Sequence, residues 1–266
     1  MSEKTKIMGI LNVTPDSFYD GGKYINTDDA VSRAVDMERY GASIIDIGGE
    51  STRPGSKPVS VEEELKRVIP VIKRSSEILK IPISVDTSKS AVAEEALKNG
   101  AEIINDISGM TFDKKMQPLA AKYGATVVIM HIKGVPETMQ NNPVYDDIVE
   151  EVIDFFLERI DEANSFGIAN DKIILDPGIG FGKSMEDNYI LLGNIHRLKE
   201  LGFPVCIGLS RKSLIGKLYK ESEDRLPATI ALNSAAVLNG ADIIRVHDVK
   251  EHSLAMSGID LMRRVS

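Results

Sequence analysis

Ile7-Met8-Gly9-Ile10-Leu11 runs uncharged into Asn12, and the same figure recurs seven more times along the chain. Ile44-Ile45 meets Asp46, Ile83-Ser84-Val85 meets Asp86, Ile103-Ile104 meets Asn105, and Val127-Val128-Ile129-Met130 meets His131. Ile173-Ile174-Leu175 meets Asp176, Val205-Cys206-Ile207 meets Gly208, and Ile243-Ile244 meets Arg245. Short runs rich in Ile and Val fit strands buried on both faces, and amphipathic stretches of helical length separate most of them. Such alternation predicts parallel strands covered by helices. With 266 residues against about 250 for a typical example, the expectation is one (β/α)8 TIM barrel. Residues 1–266 then form one domain, without a linker. The polar residues that end each run fall on the carboxyl face, where this architecture places its chemistry.

Composition narrows the function. Hydrophobic residues make up 42% of the chain, enough for a large core. Met1 to Lys6 carries no apolar signal region, and no uncharged apolar run reaches the length of about 18 residues needed to span a bilayer. A cytoplasmic protein without a membrane partner is expected. The single cysteine, Cys206, excludes an intramolecular disulfide and reads as an apolar filler inside a strand. A formal charge of −8, no Trp and 5% aromatics argue against a nucleic-acid partner. A small basic pocket for an anionic small molecule remains compatible with that balance.

The helices read as Thr27 to Tyr40, Ser60 to Leu79 with a capping-box start, Lys89 to Lys98, and Asp113 to Lys122. Tyr145 to Phe166 follows, with Ile148, Val149, Val152, Ile153, Phe156 and Ile160 as its core stripe. Asn188 to Leu201, Leu226 to Leu238 and Lys250 to Arg264 complete the set. Two βα loops are long. Asn12 to Thr27 holds Phe18, Tyr19, Gly21 and Gly22, and Glu50 to Ser60 holds Pro54, Gly55 and Pro58. Placed over the carboxyl face, such loops often serve as lids.

Asp176-Pro177-Gly178-Ile179-Gly180-Phe181-Gly182-Lys183-Ser184 resembles a phosphate-binding P-loop, but Pro177 removes an N–H that a phosphate cradle uses. The better reading is a glycine-rich loop carrying Asp176 and Lys183 into a pocket. Asp86, Asn105 and Asp176 come from three strand ends, and each alone is compatible with a helix cap or turn. Together they make an array of acceptors suited to a heterocycle rich in N–H groups. Ser210-Arg211-Lys212-Ser213 and Arg245-Val246-His247 follow strands seven and eight, the usual phosphate region of a barrel. Arg245 and His247, two apart, share one side of an extended strand, beside Asn12 across the closed barrel. A surface ion pair and a structural histidine are the plainer readings of that pair. His131 reads as a barrel cap, and His196 and His252 as solvent-facing. No cluster has zinc spacing.

In order, these residues resemble the dihydropteroate synthase family. The resemblance runs through Met8-Gly-Ile-Leu-Asn-Val-Thr-Pro-Asp-Ser-Phe-Tyr-Asp-Gly-Gly22, Asp46-Ile-Gly-Gly-Glu-Ser-Thr-Arg-Pro-Gly55 and Ile83-Ser-Val-Asp-Thr87. It continues through Ile104-Asn-Asp-Ile-Ser-Gly109, Asp176 to Lys183, Gly208 to Ser213 and Arg245 to Asp248, covering about residues 6 to 250. Tyr19 and Lys133 depart from the family pattern.

The resemblance implies condensation of 6-hydroxymethyl-7,8-dihydropterin diphosphate with p-aminobenzoate in folate biosynthesis, by a homodimer using Mg²⁺. It assigns Asp86, Asn105, Met130, Asp176, Lys212 and Arg245 to the pterin, and Asn12, Arg245 and His247 to the diphosphate. Asn12 also coordinates the metal. Phe18, Thr52, Arg53, Pro54, Phe181, Lys212 and Ser213 fall to p-aminobenzoate. Catalytic roles go to Asp20, Lys212, Arg245 and His247, with Asp20 stabilising a pterin methylene cation. A pterin-dependent methyltransferase and a non-catalytic pterin-binding subunit are the alternatives. The first should lack the diphosphate residues and the Ser210 to Ser213 element; the second should lack the lid residues.

Overall fold

The structure is a computed structural model that describes residues 4–14, 27–51, 56, 58–210, 212, 215 and 225–265. Eight parallel strands lie in one sheet: β1 Lys6–Asn12, β2 Ile44–Gly48, β3 Ile83–Asp86, β4 Ile103–Asp106, β5 Thr126–Met130, β6 Ile173–Asp176, β7 Cys206–Gly208 and β8 Ile243–Val246. The order β6-β5-β4-β3-β2-β1-β8-β7 follows the chain around a ring. A parallel bridge between Leu175 and Val205 closes the seam between β6 and β7, helped by Leu175 N donating to Pro204 O at 2.9 Å. The fold is the expected (β/α)8 barrel.

Helices alternate with the strands: α1 Thr27–Arg39, α2 Val61–Ser76, α3 Ser90–Lys98, α4 Met116–Tyr123, α5 Ile148–Ser165, α6 Met185–Gly193, α7 Ile195–Lys199, α8 Leu226–Leu238 and α9 Val249–Val265. Ser60 caps α2 by accepting from Glu63 N at 3.2 Å. In α5 the expected stripe faces the core, with Ile148, Val149, Val152, Phe156 and Ile160 buried and Ile153 half-buried. The helix expected over Asn188 to Leu201 is two. It starts earlier, at a capping box between Ser184 and Asp187, and breaks at Asn194. There the Asn194 side chain takes Ile190 O, and Asn239 takes Leu192 O at 3.0 Å, so side chains replace the next turn's donors. α2 stops at Ser76, short of Leu79, and α4 begins at Met116. No helix among the described residues is long and apolar enough to cross a membrane.

Side-chain alternation along the strands divides the interior. Met8, Ile44, Ile103, Val128, Ile174, Cys206 and Ile243 form a buried cluster of their own. Their strand neighbours, such as Ile45, Ile104, Val127, Ile173, Ile207 and Ile244, join the larger cluster under the helices. The first group lines the inside of the barrel, the second its outside. Cys206 is a fully buried interior filler, as expected.

Candidate functional site

Two residues beyond the apolar inner layer, the same period brings a second set of side chains inward. From Ile44 the step reaches Asp46, from Ile103 Asn105, from Val128 Met130, from Ile174 Asp176 and from Ile243 Arg245. From Ser84 it reaches Asp86. The lower inner layer is therefore mainly apolar, and the upper one, at the carboxyl ends, carries the charged groups Asp46, Asp86, Asp176 and Arg245. Sealed below and facing the mouth, that upper layer forms the floor of the candidate site.

Arg245 organises it. Its Nε donates to Asp46 Oδ2 at 2.6 Å and its NH2 group to Asp86 Oδ2 at 2.5 Å. Asn105 Nδ2 donates to the same Asp46 oxygen at 3.0 Å. Burial pulls the guanidinium's pKa down, but Asp46 and Asp86 outweigh it and the net shift is upward. Burial pushes Asp86 up to about 7, against the pull of Arg245, and Asp46 adds to the rise. Asp46 was not among the sequence candidates. It ends the Ile44-Ile45 run and received no role there, while β2 itself continues past it to Gly48.

Asp176 closes the other side. Its backbone pairs with Met130 in the β5–β6 ladder, and its Oδ1 accepts from Gly178 N at 2.7 Å. Burial raises its pKa, opposed by Lys212, the Gly178 amide and Arg245. Lys212 is half-buried; burial lowers it to about 8 although Asp176 opposes the shift. Its ammonium donates to Ile179 O and stands 4.4 Å from the centroid of the Phe181 ring. Met130, buried, supplies an apolar wall.

His247 and Asn12 meet at the β8–β1 side, with Nε2 and Nδ2 3.5 Å apart. Ser210 Oγ accepts from His247 N at 3.1 Å and lies 2.9 Å from Nδ1. The structure thus gathers Asp86, Asn105, Met130, Asp176, Lys212 and Arg245 around one floor, with Asn12 and His247 beside it and Phe181 under Lys212. Phe18, Asp20, Thr52, Arg53, Pro54 and Ser213, and most of the two long loops, lie outside the described residues.

Two expectations are corrected. Lys183 does not point into the pocket: it is 2% exposed, with its ammonium folded back among backbone carbonyls and His131. His252 is not solvent-facing; it is fully buried in α9, its Nδ1 2.7 Å from Asp248 O. A further set escaped the sequence reading. Lys89 binds Glu64, which is fully buried in α2, at 2.5 Å and also binds Glu50. This pairs the root of the second long loop with α2 and α3.

The profile of the pterin binding enzyme family matches residues 8–247. The dihydropteroate synthase of Synechocystis sp. is 48% identical over 250 residues, covering 93% of this chain and 86% of that protein. A Yersinia pestis dihydropteroate synthase, solved with a sulfonamide drug, superposes with a TM-score of 0.93 at 44% identity, over 98% of this chain and 95% of that one. The Xanthomonas albilineans enzyme in complex with 7,8-dihydropteroate gives a TM-score of 0.88 at 40% identity, over 98% and 94%. With near-half identity along almost its whole length and the same barrel, this chain belongs to the pterin-binding enzyme family, among its dihydropteroate synthases.

Proposed function

We propose that this transferase joins 6-hydroxymethyl-7,8-dihydropterin diphosphate to p-aminobenzoate, forming 7,8-dihydropteroate and pyrophosphate, with residues 1–266 working as one cytoplasmic domain. One observation carries the reading: Asp86, Asn105, Asp176 and Lys212 surround Arg245 at the carboxyl end of the barrel. Xanthomonas albilineans synthase, with the same fold, was solved holding 7,8-dihydropteroate.

Asp86, Asn105 and Asp176 accept from the N–H-rich edge of the pterin, and Lys212 holds the same edge beside them. Burial strips solvent donors from Asp176, so a ligand that brings two parallel N–H groups supplies what the site lacks. Met130 packs on the ring, and Arg245 stacks over its face, as a flat guanidinium can and an ammonium cannot. The bond to Asp46 supports this role, because it fixes the guanidinium plane.

The diphosphate falls to Asn12, Arg245 and His247. The residues fit a Mg²⁺ ion: with Asn12 Nδ2 turned to His247, its carbonyl oxygen is left for a hard cation. Among the described residues no group of three or more His, Cys, Asp or Glu could hold a metal. Such a site would draw its remaining ligands from phosphate and water. When bound, the ion would offset charge developing on the departing pyrophosphate.

As the C–O bond breaks, the pterin methylene becomes cationic, and Asp20 on the first loop stabilises it. The aryl amine, held by Phe18, Thr52, Arg53, Pro54, Phe181, Lys212 and Ser213, then forms the C–N bond and gives up one proton to the released pyrophosphate or to water, without a strong base. A homodimer belongs to the same reading. Leu254, Leu261, Met262 and Val265 stand exposed at helical spacing on α9, with Leu238 exposed on α8, an apolar stripe that a second copy would cover.

A pyrophosphate-release assay tests the reaction: release should require both substrates together. Pterin binding without release would leave a non-catalytic binder, and methyl transfer from a methylated pterin would point to the related methyltransferases.

A further inference from the structure

The loop after β6, residues 177–182, has most of its backbone polar groups engaged. Gly178 N donates to Asp176, Phe181 N to Gly178 O at 3.0 Å, and Gly180 N to Asn188 Oδ1 at 2.6 Å. Gln140 donates to Gly180 O and the Tyr145 hydroxyl to Gly182 O, both at 2.7 Å, from the outer side. Lys183, buried, gathers a further set of contacts. Lys183 Nζ donates to Gly178 O at 3.0 Å, to Phe181 O at 3.1 Å and to His131 O at 3.3 Å, and it lies 2.8 Å from His131 Nδ1. Burial, with Lys212 nearby, lowers its pKa well below the ordinary lysine value, and the surrounding cage of carbonyls takes the N–H groups that water cannot reach. The cage spans two loops: His131 leaves β5, and Gly178 and Phe181 belong to the loop after β6.

The approach is as close as backbone permits. A Cβ on Gly178, where φ is +65°, would lie 1.9 Å from His131 O. What the strapped loop presents on its other face is functional. Ile179 O receives Lys212, and the Phe181 ring lies beneath that ammonium. Asp176 needs no such help, since the β5–β6 ladder fixes it and His131 N donates to its carbonyl at 2.9 Å.

We infer that Lys183 is a positioning residue for the p-aminobenzoate side of the site: it straps the loop after β6 to the end of β5 and so sets where Phe181 and Lys212 stand. The kinetic form of this inference rests on the activity proposed above. The structural form does not.

The test is Lys183→Met in the full chain. The KM for p-aminobenzoate should rise about tenfold or more, as expected for a displaced contact. The fall in kcat should be smaller, and calorimetric affinity for 6-hydroxymethylpterin should stay within about threefold. Hydrogen exchange at the Gly178, Gly180 and Phe181 amides should quicken by about tenfold or more, while β5 and β6 keep their protection. A folded variant with wild-type KM and wild-type exchange overturns the inference, as does an equal loss of both ligands. Should Lys183→Met not fold, Tyr145→Phe with Gln140→Leu loosens the same loop from outside; an unchanged KM for p-aminobenzoate there overturns it too. A wild-type chain that releases no pyrophosphate refutes the activity instead, and the exchange comparison still decides the strap.

Discussion

Arg245 Nε reaches Asp46 Oδ2 across 2.6 Å, a bond from β8 to β2 that passes over the inward face of β1. Its NH2 group takes Asp86 on the next strand round. One planar cation thereby ties three strand ends and is held in a single orientation. Lysine keeps the charge but offers no fork. Arg245→Lys should lower kcat/KM by about a hundredfold, and hydrogen bonds to charged groups set a stability loss of about 1–3 kcal/mol. Steady-state kinetics and thermal melts measure the two separately.

Binding and turnover should separate between floor and lid. Asp176→Asn or Lys212→Ala should abolish measurable pterin binding in calorimetry, since each removes a buried partner of the ring edge; unchanged affinity would remove the pocket assignment. Asp20→Ala should slow turnover by about 10² or more while pterin affinity changes little, because its proposed partner is a cation formed only during reaction. An equal loss of both would count against that role.

His131 carries a pH dependence. Burial, with Lys183 and Lys133 nearby, lowers its pKa from 6.5 to about 2. Between those values the unfolded chain binds a proton that the folded chain refuses, so folded stability is lost as pH falls below about 6.5. Asp86, raised to about 7, and Asp106, raised to about 6, both by burial, act in the opposite sense above the ordinary carboxylate value of 3.8. Comparison with His131→Gln at each pH cancels them. The wild type should lose about 2 kcal/mol relative to that variant between pH 6.5 and 5, at 1.36 kcal/mol per pKa unit. A pH-independent difference in denaturation midpoints would contradict this.

Two glycines with positive φ should respond differently to alanine. Gly178→Ala drives a methyl group into His131 O and should cost about 3 kcal/mol. Gly124, at the end of α4 with φ +61°, has nothing within 4 Å of an added Cβ, and alanine there should cost about 1 kcal/mol, the conformational part alone. Chemical denaturation of both variants checks the contrast.

The apolar face of α8 and α9 predicts an association. Leu254→Glu with Leu261→Glu should leave activity per chain measurable and shift the sedimenting species from dimer to monomer. A monomeric wild type would remove the dimer from the proposal.

Much of this was legible in the residues. Strand ends carrying Asp86, Asn105, Asp176 and Arg245 stood out because an apolar run stops where the barrel meets its ligand face. Asp46 ends an apolar run in the same way but carried no role, since its partners Arg245 and Asn105 lie 199 and 59 residues further along and only the closed barrel brings them to it. Between Asn188 and Leu201 the stop is Gly193-Asn194, a helix-ending pair that the sequence reading passed over, and the donor that completes it, Asn239, lies far along the chain.

Local order set the alternation of strand and helix, and with it the barrel and the face on which its chemistry lies: period two along a strand and 3.6 along a helix are short-range properties. The direction of a long side chain is not. Gly182-Lys183-Ser184 reads alike whether the ammonium reaches a ligand or folds back, and the choice falls to His131, 52 residues earlier. A buried amine goes where polar partners meet it, and only the closed barrel brings those partners together.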